Sequence, residues 1–442
     1  MVPQFGTDGI RGVANVDITP EVAFALAQAA TDFFGLELYV IGRDTRLSGP
    51  MLEAAMVSGF TSAGASVELV GVVPTPAVAW ISADRGVPGV MISASHNPFG
   101  DNGIKLFAPG GTKLSDDIQT QIQNRMEEYL SEQKMPRPQQ EKLGQAVVSS
   151  ATQRWESSVV ASVANQSLSG LNLVIDCANG SASESGKRIF EILGASVEVI
   201  ANEPDGININ SGCGSTYPEM LSKAVVRSGA DAGLAFDGDA DRLIAIDNEG
   251  SIIDGDRVIA ILAKDLKANG KLVDDTVVVT VMSNLGFHKA MQASAISVVT
   301  TQVGDRYVLE KLNEGNYSLG GEQSGHIICT EHASTGDGIL AGVQLLDAVK
   351  RSGSSLKDLA SQVMNQVPQV LLNVKVKKDP KRILEKIAPE VESLETSFSG
   401  QGRILVRASG TEPLIRVMVE HNDEELAHKV AIELEQLVVK HK

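Results

Sequence analysis

Thr19-Pro20-Glu21, a cap residue followed by proline and an acid, is succeeded by Val22, Leu26, Ala29 and Phe33 at helical spacing. This pattern predicts an amphipathic helix over residues 19–34. The apolar run Leu38-Tyr39-Val40-Ile41 follows and ends in Gly42-Arg43-Asp44-Thr45-Arg46. A helical pattern then runs from about Pro50 to Ser62 and is closed by Gly64, after which Ala65-Ser66-Val67-Glu68-Leu69-Val70 reads as a second strand. Strand, helix and strand joined by short turns make a parallel βαβ unit.

The same order recurs. Leu173-Val174-Ile175-Asp176 is a strand, Ser183 to Leu193 is helical, and Gly194-Ala195-Ser196-Val197-Glu198 repeats Gly64-Ala65-Ser66-Val67-Glu68 residue for residue. A weaker third copy runs from Thr276-Val277-Val278-Val279 through a helix near Gly286–Met291 to Ile296-Ser297-Val298-Val299. Three such units point to duplication. Ser131–Ser150, with Pro136, Pro138 and many Gln and Lys residues, reads as a linker or exposed loop. A hairpin around Asn248-Glu249-Gly250 precedes Asp254-Gly255-Asp256, a helix start. Beyond about Pro368 the texture changes to strands such as Val370–Val374 and Arg403–Arg407 with intervening helices.

The expected fold is therefore α/β: three similar α/β domains with mixed sheets and a smaller C-terminal α+β domain. The boundaries expected are 1–150, 151–252, 253–367 and 368–442. Length agrees, because single cores stop growing at about 250–300 residues and the chain has 442.

Hydrophobic residues make up 43% and charged residues 21%, enough apolar material for real cores. Asp and Glu outnumber Lys and Arg by 55 to 38, a net charge of −17 that repels nucleic acid and anionic membranes. Neither partner is expected. No apolar run is long enough to span a bilayer, and the first residues lack the pattern of a signal peptide, so a cytoplasmic location is expected. Cys177, Cys213 and Cys329 are isolated, which indicates neither disulfides nor a zinc cluster.

Five polar motifs interrupt this framework. Gly89-Val90-Met91-Ile92-Ser93-Ala94-Ser95-His96-Asn97-Pro98 is an apolar run that breaks into hydroxyls, an imidazole and a proline. Such a strand end delivers side chains to the rim of a sheet, and Ser95 becomes a candidate nucleophile with His96 beside it. By itself the segment reads more readily as an ordinary strand-to-loop turn, and the other motifs shift that reading. Asp237-Gly238-Asp239-Ala240-Asp241-Arg242 follows the apolar run Ala232–Phe236. Three carboxylates at alternate positions repel one another unless a hard cation such as Mg²⁺ sits among them. An EF-hand is excluded, because Arg242 and Asn248 stand where glycine and glutamate are needed.

Gly320-Gly321-Glu322-Gln323-Ser324-Gly325-His326 offers a carboxylate, a hydroxyl and an imidazole on a tight turn, groups suited to sugar hydroxyls or amines. Arg407-Ala408-Ser409-Gly410-Thr411-Glu412-Pro413, with Arg416, combines guanidinium groups, hydroxyls and a glycine as a phosphate site needs. It is not a P-loop. Phe5–Gly12 contributes Arg11, and Asp101-Asn102-Gly103-Ile104-Lys105 contributes Lys105, both in glycine-bounded polar loops. Serine, carboxylates, sugar loop and phosphate loop together are the parts of metal-assisted phosphoryl transfer on a sugar phosphate.

Taken in chain order, the five motifs Phe5–Gly12, Ile92–Pro98 followed by Asp101–Lys105, Asp237–Arg242, Gly321–His326 and Arg407–Pro413 cover the whole chain and resemble those of the α-D-phosphohexomutases. The resemblance implies four domains around a central cleft. It implies that Ser95 is the phosphoserine, and that Asp237, Asp239 and Asp241 bind one Mg²⁺ together with it. It further implies that Arg11, Lys105 and Arg242 serve the transfer. Glu322, Ser324 and His326 would then hold the sugar, and Arg407, Ser409, Gly410, Thr411 and Arg416 the non-reacting phosphate.

Within the family, Gln323 and the wording Gly304-Asp305-Arg306-Tyr307 point to glucosamine 6-phosphate as substrate, with mannose or glucose phosphates as the alternative. Glucosamine 1,6-bisphosphate would be intermediate and activator, and glucosamine 1-phosphate the product, feeding UDP-N-acetylglucosamine and cell-wall synthesis. The general base stays open between His96 and Lys105. The resemblance also leaves room for a homodimer.

Overall fold

A computed structural model describes residues 3–6, 8–132, 138–376, 379–409 and 414–442. The chain forms two compact units, one of residues 1–282 and 296–361 and the other of residues 283–295 and 362–442.

The first unit contains three mixed sheets. In the first, strands β1 (Ile10–Val13), β2 (Leu38–Arg43), β3 (Ser66–Val72), β4 (Gly89–Ile92), β5 (Asp101–Ala108), β6 (Thr112–Lys113) and β7 (Ala146–Val148) lie in the order β1-β5-β4-β2-β3-β7, with β6 beside β5. The second comprises β8 (Asn172–Asp176), β9 (Ser196–Ile200), β10 (Ala232–Phe236), β11 (Leu243–Asp247) and β12 (Ile252–Ile253) in the order β12-β11-β10-β8-β9. The third comprises β13 (Thr276–Thr280), β14 (Ser297–Thr301), β15 (Leu319–Gly321) and β16 (Ile327–Cys329) in the order β14-β13-β15-β16.

One topology underlies all three. The runs β3-β2-β4-β5, β9-β8-β10-β11 and β14-β13-β15-β16 each consist of two parallel pairings followed by one antiparallel pairing. The duplication expected from Gly64–Glu68 and Gly194–Glu198 is thus a repeat of strand order as well as of words.

Local chemistry explains the elements. The first helix spans Pro20–Phe34, with the Thr19 hydroxyl accepting from the Val22 amide, and it buries Val22, Leu26 and Ala29. Tyr39 of β2 stacks on Phe60 at 4.1 Å between ring centroids and donates its hydroxyl to the Ala30 carbonyl. Each large apolar side chain so buried contributes about 1.5–3 kcal/mol. The strand β10 is buried along its whole length, as expected for a strand covered on both faces. Within the segment expected to be a linker, Ala146–Val148 is instead a strand parallel to β3. The open edge of β3 recruits it, although Val147 and Val148 keep their side chains exposed.

In the second unit, β17 (Gln369–Lys375), β18 (Gly402–Ala408) and β19 (Leu414–His421) form an antiparallel sheet in the order β17-β19-β18. Helices Pro380–Ser397 and Glu424–His441 pack on it through Ile383, Ile387, Val430 and Leu434. Helix Leu285–Ala293 also belongs to this unit, and the buried Glu420 carboxylate accepts from Asn284 Nδ2 and the Leu285 amide. Among the described residues, no helix is long and apolar enough to cross a membrane.

Candidate active site

Three of the motifs occupy one topological position. Ser95 lies between β4 and β5, Asp237–Arg242 between β10 and β11, and Glu322–His326 between β15 and β16. Each is the turn from a parallel strand into its antiparallel neighbour. The three turns meet: Arg242 and His326 form an antiparallel bridge, and the Leu243 amide donates to the Gly325 carbonyl at 2.9 Å.

Ser95 is 1% exposed and sits at φ 52°, a left-handed conformation that serine adopts only when its surroundings impose it. Its hydroxyl donates to Asp237 Oδ2 at 2.6 Å and lies 3.2 Å from His96 Nδ1. Burial, together with the Arg242 and Arg11 charges, pushes His96 down to about 4. The imidazole is neutral at pH 7.

Asp237, Asp239 and Asp241 are buried, and one oxygen from each lies within 4.8 Å of the others. Burial, reinforced by Asp241 and Asp239, pushes the Asp237 carboxyl well above the ordinary range. Among the described residues, Asp239 Oδ1 and Asp241 Oδ1 are buried without a hydrogen-bond partner. Buried carboxylate oxygens left bare and crowded together are costly, and a hard divalent cation removes that cost. The donor set fits Mg²⁺. Gly238 cannot carry a side chain, since a Cβ would lie 2.7 Å from the Ser95 carbonyl oxygen and 2.8 Å from Asn210 Nδ2.

Positive groups flank the carboxylates. Lys105 Nζ is 2.9 Å from Asp239 Oδ2, 3.0 Å from Asp8 Oδ2 and 3.4 Å from Asp241 Oδ2. Burial opposes the charge on Lys105, but Asp239, Asp8 and Asp241 outweigh it and hold the ammonium protonated well above the usual lysine range. Arg242 Nε lies 3.9 Å from Asp241 and 4.0 Å from Asp237, and Arg11 pairs with Asp8. Thr75, which opens helix Thr75–Arg85, donates its hydroxyl to Asp239 Oδ2 at 2.6 Å and its amide to the Asp239 carbonyl.

On the third turn, Glu322 Oε1 accepts from the Gly304 amide at 3.1 Å, and Ser324 is exposed. His326 is buried between two carboxylates, with Nδ1 3.7 Å from Asp241 Oδ2 and Nε2 3.2 Å from Asp305 Oδ2. Burial opposes its charge, yet Asp305 and Asp241 raise it above the ordinary histidine value. Lys113 bridges Asp305 and Asp8, closing a chain of charges from His326 back to Lys105 and Arg11. The motifs do not identify Thr75, Lys113 or Asn210 as partners, for each is a single polar residue whose counterpart is remote in sequence; Asp8 and Asp305 lie within quoted motifs, but their pairing through Lys113 does not show there.

In the C-terminal unit, Arg407 and Arg416 are direct partners across β18 and β19. Like charges directly opposite are unfavourable unless an anion or another partner compensates them. The Ser409 amide closes the hairpin onto the Leu414 carbonyl at 2.9 Å. Gly410 and Thr411 lie outside the described residues.

Comparison with known proteins follows the same division of the chain. Residues 2–133, 151–250 and 254–367 match α/β/α domains I, II and III of the phosphoglucomutase/phosphomannomutase family, and 371–437 match its C-terminal domain. A phosphoglucosamine mutase of Desulforamulus reducens is 50% identical, covering 96% of each chain. One from Clostridium novyi is 47% identical over 98% of each. A Burkholderia thailandensis structure of a phosphoglucomutase/phosphomannomutase family protein superposes with a TM-score of 0.83 at 23% identity, covering 99% of this chain and 98% of the other. The chain belongs to this family, the α-D-phosphohexomutases, and is a phosphomutase of the isomerase class.

Proposed function

We propose that the protein interconverts glucosamine 6-phosphate and glucosamine 1-phosphate through a phosphoserine at Ser95 and a glucosamine 1,6-bisphosphate intermediate. The sugar is supported by relatives about half identical over nearly the full chain, which are phosphoglucosamine mutases. The observation that carries the chemistry is Ser95 Oγ, 2.6 Å from one of three clustered carboxylates.

In this reading the phosphoryl group on Ser95 passes to the free hydroxyl of the sugar phosphate. The bisphosphate then returns its other phosphoryl group to Ser95. The proton that leaves the sugar hydroxyl ends on the departing Ser95 Oγ, relayed through His96, 3.2 Å from that oxygen, and it retraces this route when Ser95 is rephosphorylated. Lys105, held as an ammonium, together with Arg11 and Arg242, offsets charge on the phosphoryl oxygens. Asp237, Asp239 and Asp241 would hold one Mg²⁺ with an oxygen of the seryl phosphate, and the bound cation supplies further neutralisation and orientation.

Glu322, Ser324 and His326 recognise the sugar, while Arg407, Ser409, Gly410, Thr411 and Arg416 grip the phosphate that is not reacting. Domains of 1–150, 151–252, 253–367 and 368–442 and a cytoplasmic setting belong to the same proposal. So does a homodimer, supported by exposed Val16, Leu47, Phe99 and Ile207 on loops joined by the Ala14–Gly100 and Leu47–Gly206 backbone hydrogen bonds. Light scattering that finds only monomer would remove that part.

Turnover measured side by side on glucosamine, mannose and glucose 6-phosphates tests the sugar assignment. The highest kcat/KM is expected for glucosamine, and a preference for mannose or glucose would overturn it.

A further inference from the structure

Arg46 follows β2 in the wording Arg43-Asp44-Thr45-Arg46, which the proposed reaction leaves without a role. Its side chain is fully buried, and every guanidinium N–H has a partner. Nε donates to Asp44 Oδ2 at 2.8 Å. Nη2 donates to the carbonyls of Ser95 at 3.0 Å and Asn97 at 2.8 Å, and Nη1 to those of Pro98 and, at 3.1 Å, Asp101. Four carbonyls of the Ser95 turn thus converge on one planar cation, using the five donors that arginine alone possesses.

The other side of the turn is held by the same cluster. Asp44 Oδ2 accepts from Ser93 Oγ at 2.7 Å, and Ser93 Oγ in turn accepts from the Ser95 amide at 2.9 Å. From the second sheet's region, Asn210 Nδ2 donates to the same Ser95 and Asn97 carbonyls at 2.9 and 3.1 Å. Amide and carbonyl of Ser95 are therefore both fixed, which accounts for a serine kept at φ 52° although that region is strained for a residue with a side chain.

We infer that Arg46, assisted by Asn210, is a positioning residue for phosphoryl transfer: it holds the Ser95 turn in its left-handed conformation so that Oγ stays aimed at Asp237. The inference rests on Ser95 being the phosphorylated residue. A serine that alternates between hydroxyl and phosphate needs a backbone that does not follow the change of charge. Among the described residues, the side-chain hydrogen bonds of Arg46 and Asn210 go to Asp44 and to the Ser95 turn rather than to the sugar turn, so loss of either should act on the transfer step rather than on sugar binding.

The test uses the full chain with Mg²⁺ and glucosamine 6-phosphate, comparing wild type, Arg46→Lys and Asn210→Ala. Lysine keeps the charge but offers fewer donors and no fork. For Arg46→Lys, kcat should fall on the order of 100-fold, the scale of an ångström's misplacement at a reacting group. KM should stay within about threefold of wild type, since the sugar-binding groups are untouched. Asn210→Ala should lower kcat roughly tenfold with the same selectivity, and it decides the matter if Arg46→Lys fails to fold.

A folded variant with wild-type kcat would overturn the inference, as would KM for the sugar phosphate degrading in step with kcat. Peptide mass mapping of the wild type separates the two levels. Phosphate absent from Ser95 refutes the phosphoserine reading, whereas phosphate present with unchanged variant kcat refutes the role of Arg46 alone.

Discussion

Ser95 Oγ donates a 2.6 Å hydrogen bond to Asp237 Oδ2, joining the turn after β4 to the equivalent turn after β10. The nucleophile proposed here and the carboxylates proposed to hold a cation are thus brought together by two copies of one strand arrangement. This contact makes Ser95 and the acidic turn a single chemical unit.

Replacing Ser95 by alanine should abolish phosphoserine and lower mutase activity by orders of magnitude. Alanine inherits the same backbone conformation and removes a single hydroxyl, so the thermal midpoint should barely move. Intact mass, turnover and a melting curve on one preparation check all three statements. Phosphate persisting on the variant would place it elsewhere.

Asp239→Asn removes one of three negative ligands while keeping an oxygen for Thr75 and Lys105 to donate to. The Mg²⁺ concentration giving half-maximal activity should rise by about tenfold or more, because ligand charge tunes affinity for a hard cation. Titration of activity against Mg²⁺ reads this directly. An unchanged midpoint would contradict the metal assignment.

Arg407→Ala should weaken binding of sugar phosphate by about 2–5 kcal/mol, the scale for truncating a buried charge-assisted pair. Phosphoserine should still form and persist, since Ser95 and its partners belong to the other compact unit. Calorimetric titration with glucosamine 6-phosphate tests the first point and intact mass the second. Wild-type affinity would leave the hairpin of β18 and β19 a structural role only.

Asp337 gives a pH signature outside the chemistry. It caps helix Gly338–Ser352 through the Leu340 amide and accepts from Trp155 Nε1 at 3.2 Å. Burial raises its carboxyl to about 6, against an ordinary 3.8. The folded state therefore binds the proton more tightly than the unfolded chain. The resulting stabilisation is complete below the ordinary value and is lost as pH rises through about 6. Asp337→Asn keeps the cap and cannot ionise, so the stability difference between wild type and variant should drift across that window and be flat above it. Denaturant melts at several pH values, followed by tryptophan fluorescence, measure the drift. A pH-independent difference would contradict it.

Much of this architecture is written locally in the chain. The helix Pro20–Phe34 is marked by its cap and its spacing, and the strands before the serine and the acidic turn by continuous apolar runs, whereas β15, Leu319-Gly320-Gly321, carries no such mark. Gly64 and Gly194 mark the repeat because both close a helix at positive φ, 94° and 96°. In the third copy Ala295 takes that position at 53°, which explains why the repeat is faint there. The antiparallel strands β5 and β16 are harder to read, as their partners are set by tertiary pairing. The charge chain Asp8–Lys113–Asp305–His326 has no local pattern at all: Lys113 and Asp305 are far apart in sequence, and each alone resembles a surface charge.

The central claim is that Ser95 carries the phosphoryl group between the two positions of the sugar. Phosphorylated protein mixed rapidly with glucosamine 6-phosphate, quenched over time and analysed for both the Ser95 peptide and the sugar products, tests it most directly. The account predicts that phosphate leaves Ser95 at least as fast as the enzyme turns over, that glucosamine 1,6-bisphosphate appears first, and that glucosamine 1-phosphate follows as Ser95 is rephosphorylated. Product formed while Ser95 keeps its phosphate, or never bears one, would contradict it.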